Sequence, residues 1–162
     1  MIRRKPTKEE LRELRWIANI QFRGFGEELI PDDIELVVSP STYKIRYLLL
    51  NNRIYLSIRA SDYRFLLHIL SGRKLNSILP HPMLRVYVDT KYSDFIRKGG
   101  NVFAKHVVIA DPEIRPGDEV LIIDSKSLEL IGVGKAVKPG WAIPFHSWGE
   151  AVKTREGIGE SK

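Results

Sequence analysis

Pro80-His81-Pro82 limits this chain more than any other three residues in it. A proline inside a helix removes a backbone donor and clashes with the preceding turn; in a central strand it breaks the ladder. Two prolines in three residues fit neither element, so the chain is expected to pass through a joint here. The sequence is therefore read as a domain at 1–80, a second at 84–157, and a tail at 158–162. A length of 162 residues allows two small domains, and 43% hydrophobic with 28% charged residues is a globular composition.

In the first half, Thr7 and Glu10 have capping-box spacing directly after Pro6. Leu11, Leu14, Ile17 and Ala18 then recur at helical spacing, which predicts a helix over 7–21 closed by RGFG at 23–26. Strands are expected at 34–39, 43–50 and 53–60, with Asn51-Asn52 as a two-residue hairpin turn, since Asn tolerates positive φ. FLLHIL at 65–70 suits a strand or a helix, and SGRKLNSIL after it suits a short helix.

The second half opens with a strand at 84–88. TKYSDFIRKG then reads as a short helix with Thr90 as N-cap, Phe95 and Ile96 inward and Gly99 as its stop. Strands are expected at 102–109, 119–124, 128–137 and 149–155, with RPGD at 115–118 as a turn. Short strands joined by turns predict a small barrel-like β domain. The fold class is thus α+β: an antiparallel sheet with a leading helix, then a β pseudo-barrel.

Residues that carry chemistry are sparse. Cysteine is absent, which excludes disulfides and cysteine-ligated zinc and fits a reducing compartment. Glutamine occurs once, at Gln21, a depletion found in thermophile proteins. His68, His81, His106 and His146 are scattered. Glu27-Glu28 and Asp32-Asp33 read as solvated acids in a loop, and Ser61-Asp62 as a cap or turn. GVGK at 132–135 lacks phosphate-loop spacing and falls inside a β run, where close strand packing accounts for the glycines. No catalytic residue, metal-ligand set or cofactor site is assigned. MIRRKPTKEE has no apolar core behind its cations and does not read as a secretory signal, and no apolar run is long enough to span a bilayer. The expected location is cytoplasmic, with no membrane partner.

Charge is more informative. Lys and Arg number 26 against 20 Asp and Glu, a net +6 that favours a polyanionic partner. Lys91, Arg97 and Lys98 precede GGNVFAKH (99–106), Lys105 lies in it, and Lys153 and Arg155 lie on the last strand. Gly99 and Gly100 leave room for a nucleic-acid backbone to approach main-chain amides. On a strand, Asn101, Phe103 and Lys105 would share one face, with Val102, Ala104 and His106 on the other. An aromatic between an amide and an ammonium suits base stacking beside a phosphate contact. Periodicity alone leaves Phe103 as either a stacking ring or a core ring.

Residues 84–157, through LRVYVDTKYSDFIRKGGNVFAKHVVIADPEIRPGDEVLIID, LIGVGKAV and GEAVKTREG, resemble the PUA domain, an RNA-binding module. NVFAK and ADPEIRPGDEV are similar to the version at the C-terminus of archaeosine tRNA-guanine transglycosylases and archaeosine synthases. IANIQFRGFGEELIPDDIE and IRASD resemble the domain that precedes PUA in those enzymes. The resemblance implies a PUA-type pseudo-barrel and a tRNA partner gripped at the acceptor stem and 3′ end. It carries the contacts to Gly99, Gly100, Asn101, Val102, Phe103, Ala104 and Lys105, and to Val152, Lys153 and Arg155; the charge distribution adds Arg97 and Lys98 to the candidate RNA-binding residues.

Three departures qualify it. The catalytic barrel of that family needs about 250 residues of its own, and neither that length nor the cysteine-containing zinc site is here. KPGWAIPFHSWG at 138–149, with Trp141, Pro144 and Trp148, differs from the Ser/Gly- and acid-rich connection of the family. Gly100 also stands where relatives often carry a lysine. The expectation is a non-catalytic tRNA-binding chain that serves a separate transglycosylase catalytic subunit. The competing reading is a free-standing RNA-binding factor in ribosome assembly or translation.

Overall fold

Thr7 decides where the first helix starts. Its hydroxyl accepts from the Glu10 N–H (3.1 Å) while the Glu10 carboxylate accepts from the Thr7 N–H (2.9 Å), a reciprocal cap of two donors the helix cannot satisfy. Arg4 forks onto the same carboxylate at 2.7 Å, and chiefly this guanidinium holds the Glu10 pKa down at about 2. The computed structural model describes residues 1–159. In it α1 spans Lys8–Gln21, with Leu14 and Ala18 buried. Gly24 ends the helix region in a left-handed conformation (φ 94°), its N–H bonded to the Asn19 carbonyl.

The chain folds as two compact units, Met1–Ile78 and a second that starts at Leu79. The first has a five-stranded antiparallel sheet in sequential order: β1 (Ile2–Arg4), β2 (Glu35–Val38), β3 (Ile45–Leu50), β4 (Arg53–Ile58) and β5 (Phe65–Leu67). The short helix α2 (Gly26–Leu29) follows α1, and α3 (Ile69–Ile78) follows β5. Asn51 and Asn52 both take positive φ (51° and 64°), the geometry of a tight hairpin turn between β3 and β4. FLLHIL is divided between the two elements it suits, strand to Leu67 and helix from Ile69. Gln21 donates to the Phe65 carbonyl (2.7 Å) and accepts from the Phe65 N–H (2.8 Å), so one side chain behaves as a strand partner for β5. Glu27 and Glu28, expected in a loop, lie on α2 instead.

The second unit is a six-stranded, barrel-like sheet in the order β7-β11-β10-β9-β6-β8. Its strands are β6 (Arg85–Val88), β7 (Val102–Phe103), β8 (Val107–Ala110), β9 (Glu119–Asp124), β10 (Leu130–Ala136) and β11 (Glu150–Gly157). β9 is buried along its whole length and pairs parallel with β6 and antiparallel with β10. Gly134 on β10 is a close-packing glycine, because a Cβ there would lie 2.3 Å from the Lys153 carbonyl oxygen. Arg85 is fully buried and donates to the Leu79 and Pro80 carbonyls at 3.0 Å, fastening the start of the unit. Its last described residues are tied as well: Ile158 N–H bonds the Ile131 carbonyl and Gly159 N–H the Arg97 carbonyl. Residues 160–162 of the expected tail lie outside the described residues. Among the described residues no helix is long and apolar enough to cross a membrane.

Candidate nucleic-acid interface

The segment that leads into GGNVFAKH begins with a cap different from the expected one. Asp89, not Thr90, caps a 3-10 turn over Thr90–Tyr92 by accepting from Lys91 N–H (3.1 Å). Thr90 instead donates its hydroxyl to Asp124 at 3.1 Å, beside Ser93 at 2.6 Å. Burial opposes the charge of Asp124. The Ser93 hydroxyl, the Ser127 and Lys126 N–H groups and the Thr90 hydroxyl outweigh it and hold its pKa at about 2. This carboxylate at the end of β9 therefore fixes the first turn of α4 (Ser93–Arg97).

α4 has five residues and buries only one large apolar side chain, Ile96. Phe95, expected inward, is 53% exposed. Its ring covers Gly100, where a Cβ would come within 2.3 Å of the ring carbons. Gly100 thus lacks a side chain because Phe95 occupies the place. Gly99 is the conformational glycine (φ 99°), its N–H closing on the Ile96 carbonyl at 2.9 Å, and nothing lies within 4 Å of a Cβ there.

The strand expected at 102–109 is broken. β7 is two residues long, Ala104–His106 is a 3-10 turn, and β8 begins at Val107. The break comes where the Ala104 N–H bonds to the Gly149 carbonyl (2.9 Å) and the His106 ring turns back, its Nδ1 accepting from Phe103 N–H (3.2 Å). Val102, Ala104 and His106 are buried, and Lys105 is exposed. That sidedness was expected, but a tight turn produces it beyond Phe103, not a continuous pleat.

The result is a cluster of rings. His106 stacks on Tyr92 (centroids 4.0 Å, 28°), with Phe103 edge-on at 5.4 Å and Phe95 at 6.4 Å. With Lys105 these residues line an open hollow of about 300 Å³. Lys91 Nζ lies 5.3 Å from the centroid of the Tyr92 ring. Burial, assisted by the neighbouring Lys105 charge, lowers the His106 pKa, so the ring is neutral at pH 7 with Nδ1 as acceptor and Nε2 carrying the proton. Phe103 is half-buried: one part packs on His106 and another faces the hollow.

The remaining candidates divide by burial and pairing. Asn101 stitches β7 to β11, its Oδ1 accepting from Thr154 N–H (3.0 Å) and its Nδ2 donating to Glu150 (3.2 Å). Val102 and Val152 are core residues. Arg97 is 8% exposed and donates to Glu129 at 2.7 Å. Arg155 forks onto Glu119, whose carboxylate is buried on β9. Lys98, Lys105 and Lys153 are exposed. The sequence reading missed Lys135, the one exposed residue of β10, which lies directly opposite Lys153 in the β10–β11 register. Two cations opposed across a ladder repel, and an anion between them would relieve that repulsion. The signal lay in the register, which sequence periodicity alone does not supply.

Asp32, Asp62, His68 and His81, set aside as carriers of chemistry in the sequence, have partners within the fold. Asp62 accepts from the Arg59 guanidinium (3.0 and 2.5 Å) and from Arg64 N–H in the turn before β5, and Asp32 accepts from Arg15. His81 Nδ1 lies 2.5 Å from the Tyr87 hydroxyl, and His68 Nε2 2.6 Å from the Ser57 hydroxyl. Among the described residues no group of three or more His, Asp or Glu is placed to hold a metal ion.

The barrel-like sheet of the second unit is of the PUA pseudo-barrel type. Residues 84–158 match the PUA domain family, and residues 12–82 match the patch-forming domain C2 of tRNA-guanine transglycosylase. Residues 84–158 thus form a PUA domain, and the two domains together resemble the C-terminal region of archaeosine tRNA-guanine transglycosylases. The chain is 39% identical to the tRNA-guanine(15) transglycosylase of Pyrococcus furiosus over 98% of its own length and 27% of that protein. With the Methanothermobacter thermautotrophicus transglycosylase it shares 36% identity over 94% of this chain and 23% of that protein. The chain thus spans about a quarter of the length of these relatives. Among solved structures, a hypothetical protein of Pyrococcus horikoshii superposes with a TM-score of 0.74 at 21% identity, covering 96% of this chain and 94% of its own. A PUA domain from Aeropyrum pernix gives 0.71 at 18% identity, over 99% and 88%. These two likenesses establish the fold.

Proposed function

We propose that this chain is a non-catalytic tRNA-binding protein of the cytoplasm, which holds the acceptor stem and 3′ end of tRNA for a transglycosylase barrel on a separate subunit. The observation that carries this reading is the pairing of a transglycosylase C2 domain with a PUA domain over nearly the whole chain, at 39% identity to an archaeal transglycosylase. The geometry supports a division of labour within the second unit. Gly99 offers open backbone, the ring-lined hollow offers an apolar seat beside Lys105, and the Lys135–Lys153 pair offers charge for phosphate. Arg97, Arg155, Asn101, Val102, Ala104 and Val152 act in this reading by shaping the surface from beneath. The alternative, a free-standing RNA-binding factor, draws on solved PUA domain proteins of nearly the same extent, such as one from Thermoplasma acidophilum that covers 99% of this chain and 96% of its own.

The test is guanine exchange into tRNA by a separately purified transglycosylase barrel, with and without this chain. A subunit raises the exchange rate and co-purifies with the barrel. An unchanged rate together with intact tRNA binding leaves the free-standing factor as the answer.

A further inference from the structure

The connection between β10 and β11 displays three large aromatic side chains to solvent: Trp141 at 63% exposure, Phe145 at 82% and Trp148 at 77%. It is a built display, not a frayed loop. Ala142 and Ile143 are buried beneath it at 4% and 1% exposure, and Ile143–Phe145 forms a 3-10 turn. Gly140 anchors the first stem, its N–H bonding the Ile114 carbonyl (2.9 Å), and a Cβ there would overlap the Asp111 carbonyl oxygen at 1.8 Å. The small residues hold the connection down while the large rings face out, an inversion of ordinary burial that calls for a partner.

Charge selects the kind of partner. From Leu130 to Gly149 there is no Asp or Glu, while Lys135, Lys138 and His146 fall within that stretch. Lys138 Nζ lies 5.3 Å from the centroid of the Trp148 ring. Rings accompanied by cations, without carboxylates, suit a polyanion whose monomers carry π faces. Position selects further. Gly149 follows Trp148 directly, and its carbonyl accepts the Ala104 N–H, while Glu150 lies opposite Phe103 in the β7–β11 register. The display therefore adjoins the Phe103–Lys105 segment.

We propose that this connection is a stacking platform for unpaired RNA bases, which takes up the single strand beyond the Gly99–Lys105 face. The inference rests on the reading of that face as RNA-binding and extends it to residues 137–149. Stacking of bases on Trp148 and Phe145 would make the chain prefer RNA with a single-stranded end over a blunt duplex.

In a Trp16→Phe background, Trp141 and Trp148 are the only tryptophans. Their fluorescence is followed as an acceptor-stem hairpin with an unpaired 3′ overhang is added, and again with the same hairpin blunt-ended. The expected result is saturable quenching by the overhang alone. Trp148→Ala and Phe145→Ala should each weaken overhang binding by about 10-fold, with blunt-duplex affinity, salt slope and melting temperature unchanged. Lys105→Ala should weaken both RNAs. If Lys105→Ala weakens both but the ring variants bind the overhang normally, the platform is wrong and the RNA face stands. If none of the variants changes RNA affinity, both fall. If the ring variants keep RNA and lose a purified transglycosylase barrel, the rings dock protein and the proposal is overturned.

Discussion

Arg155 and Lys153 stand two residues apart on β11 and perform opposite tasks. Arg155 forks onto Glu119, a carboxylate buried on β9, whereas Lys153 is exposed opposite Lys135. Arg155→Ala strips the fork from a buried carboxylate and is expected to cost about 3 kcal/mol in urea unfolding, with no change in the salt dependence of RNA binding. Lys153→Ala should do the reverse: stability within about 0.5 kcal/mol of the parent and a salt slope shallower by about one unit. An Arg155→Ala variant that keeps its stability and flattens the slope would place that cation on the RNA instead. At this scale the linear chain shows residue types and not their partners. Arg97 and Arg155 look as available as Lys153 in the linear chain, because their acids lie 32 and 36 residues away. Phe95 misled for a related reason: helical spacing says which residues share a face, but Gly100 on the next turn supplies the seat for its ring.

The segment 99–106 shows how an element is misread when local pattern meets a tertiary constraint. Alternating Val102, Phe103, Ala104 and Lys105 reads as strand, yet the ladder stops at Phe103 because the His106 ring takes the Phe103 N–H. Elements whose signals are local were legible: the Thr7–Glu10 box starts α1, and the Asn51-Asn52 turn joins β3 to β4. β1 was missed, since three exposed residues carry no alternation and exist as a strand only through pairing with β2. His106 gives the 99–106 element a pH dependence. Its folded pKa is lowered by burial, so the unfolded chain takes up the proton first, and the stability contributed by the neutral ring is present above the unfolded value of about 6.5. That contribution is lost as pH falls from there through the folded pKa, while Nδ1 ceases to accept from Phe103. The imidazole titration followed by NMR should show a midpoint below about 6.5, and Tm should decline over the same range less steeply in His106→Gln. A midpoint above that value would mean the ring is charged in the fold.

Across the whole molecule the charge is unevenly divided. Residues 1–78 contain 14 Lys and Arg against 9 Asp and Glu, a net +5, whereas residues 79–162 contain 12 against 11, a net +1. On the proposed reading the second unit would engage phosphate through a few placed lysines, with the general attraction of +6 coming chiefly from the first. These two contributions separate in the salt dependence of tRNA affinity. Replacing Lys105, Lys135 and Lys153 together by alanine removes three exposed cations and should flatten the slope of log K against log salt by about 2 to 3 units, at about 0.7–0.9 per phosphate contact. A residual slope should persist, because none of the first unit's cations is altered and counterion release there continues. A triple variant with no residual slope would show the first unit's charge to be unengaged and the interface confined to the second. A slope unchanged by the triple substitution would move the interface off the lysine face altogether. The intermediate outcome, a reduced but surviving slope, is the one the charge division requires, since a net +1 alone cannot steer a polyanion from a distance and three lysines alone cannot account for +6.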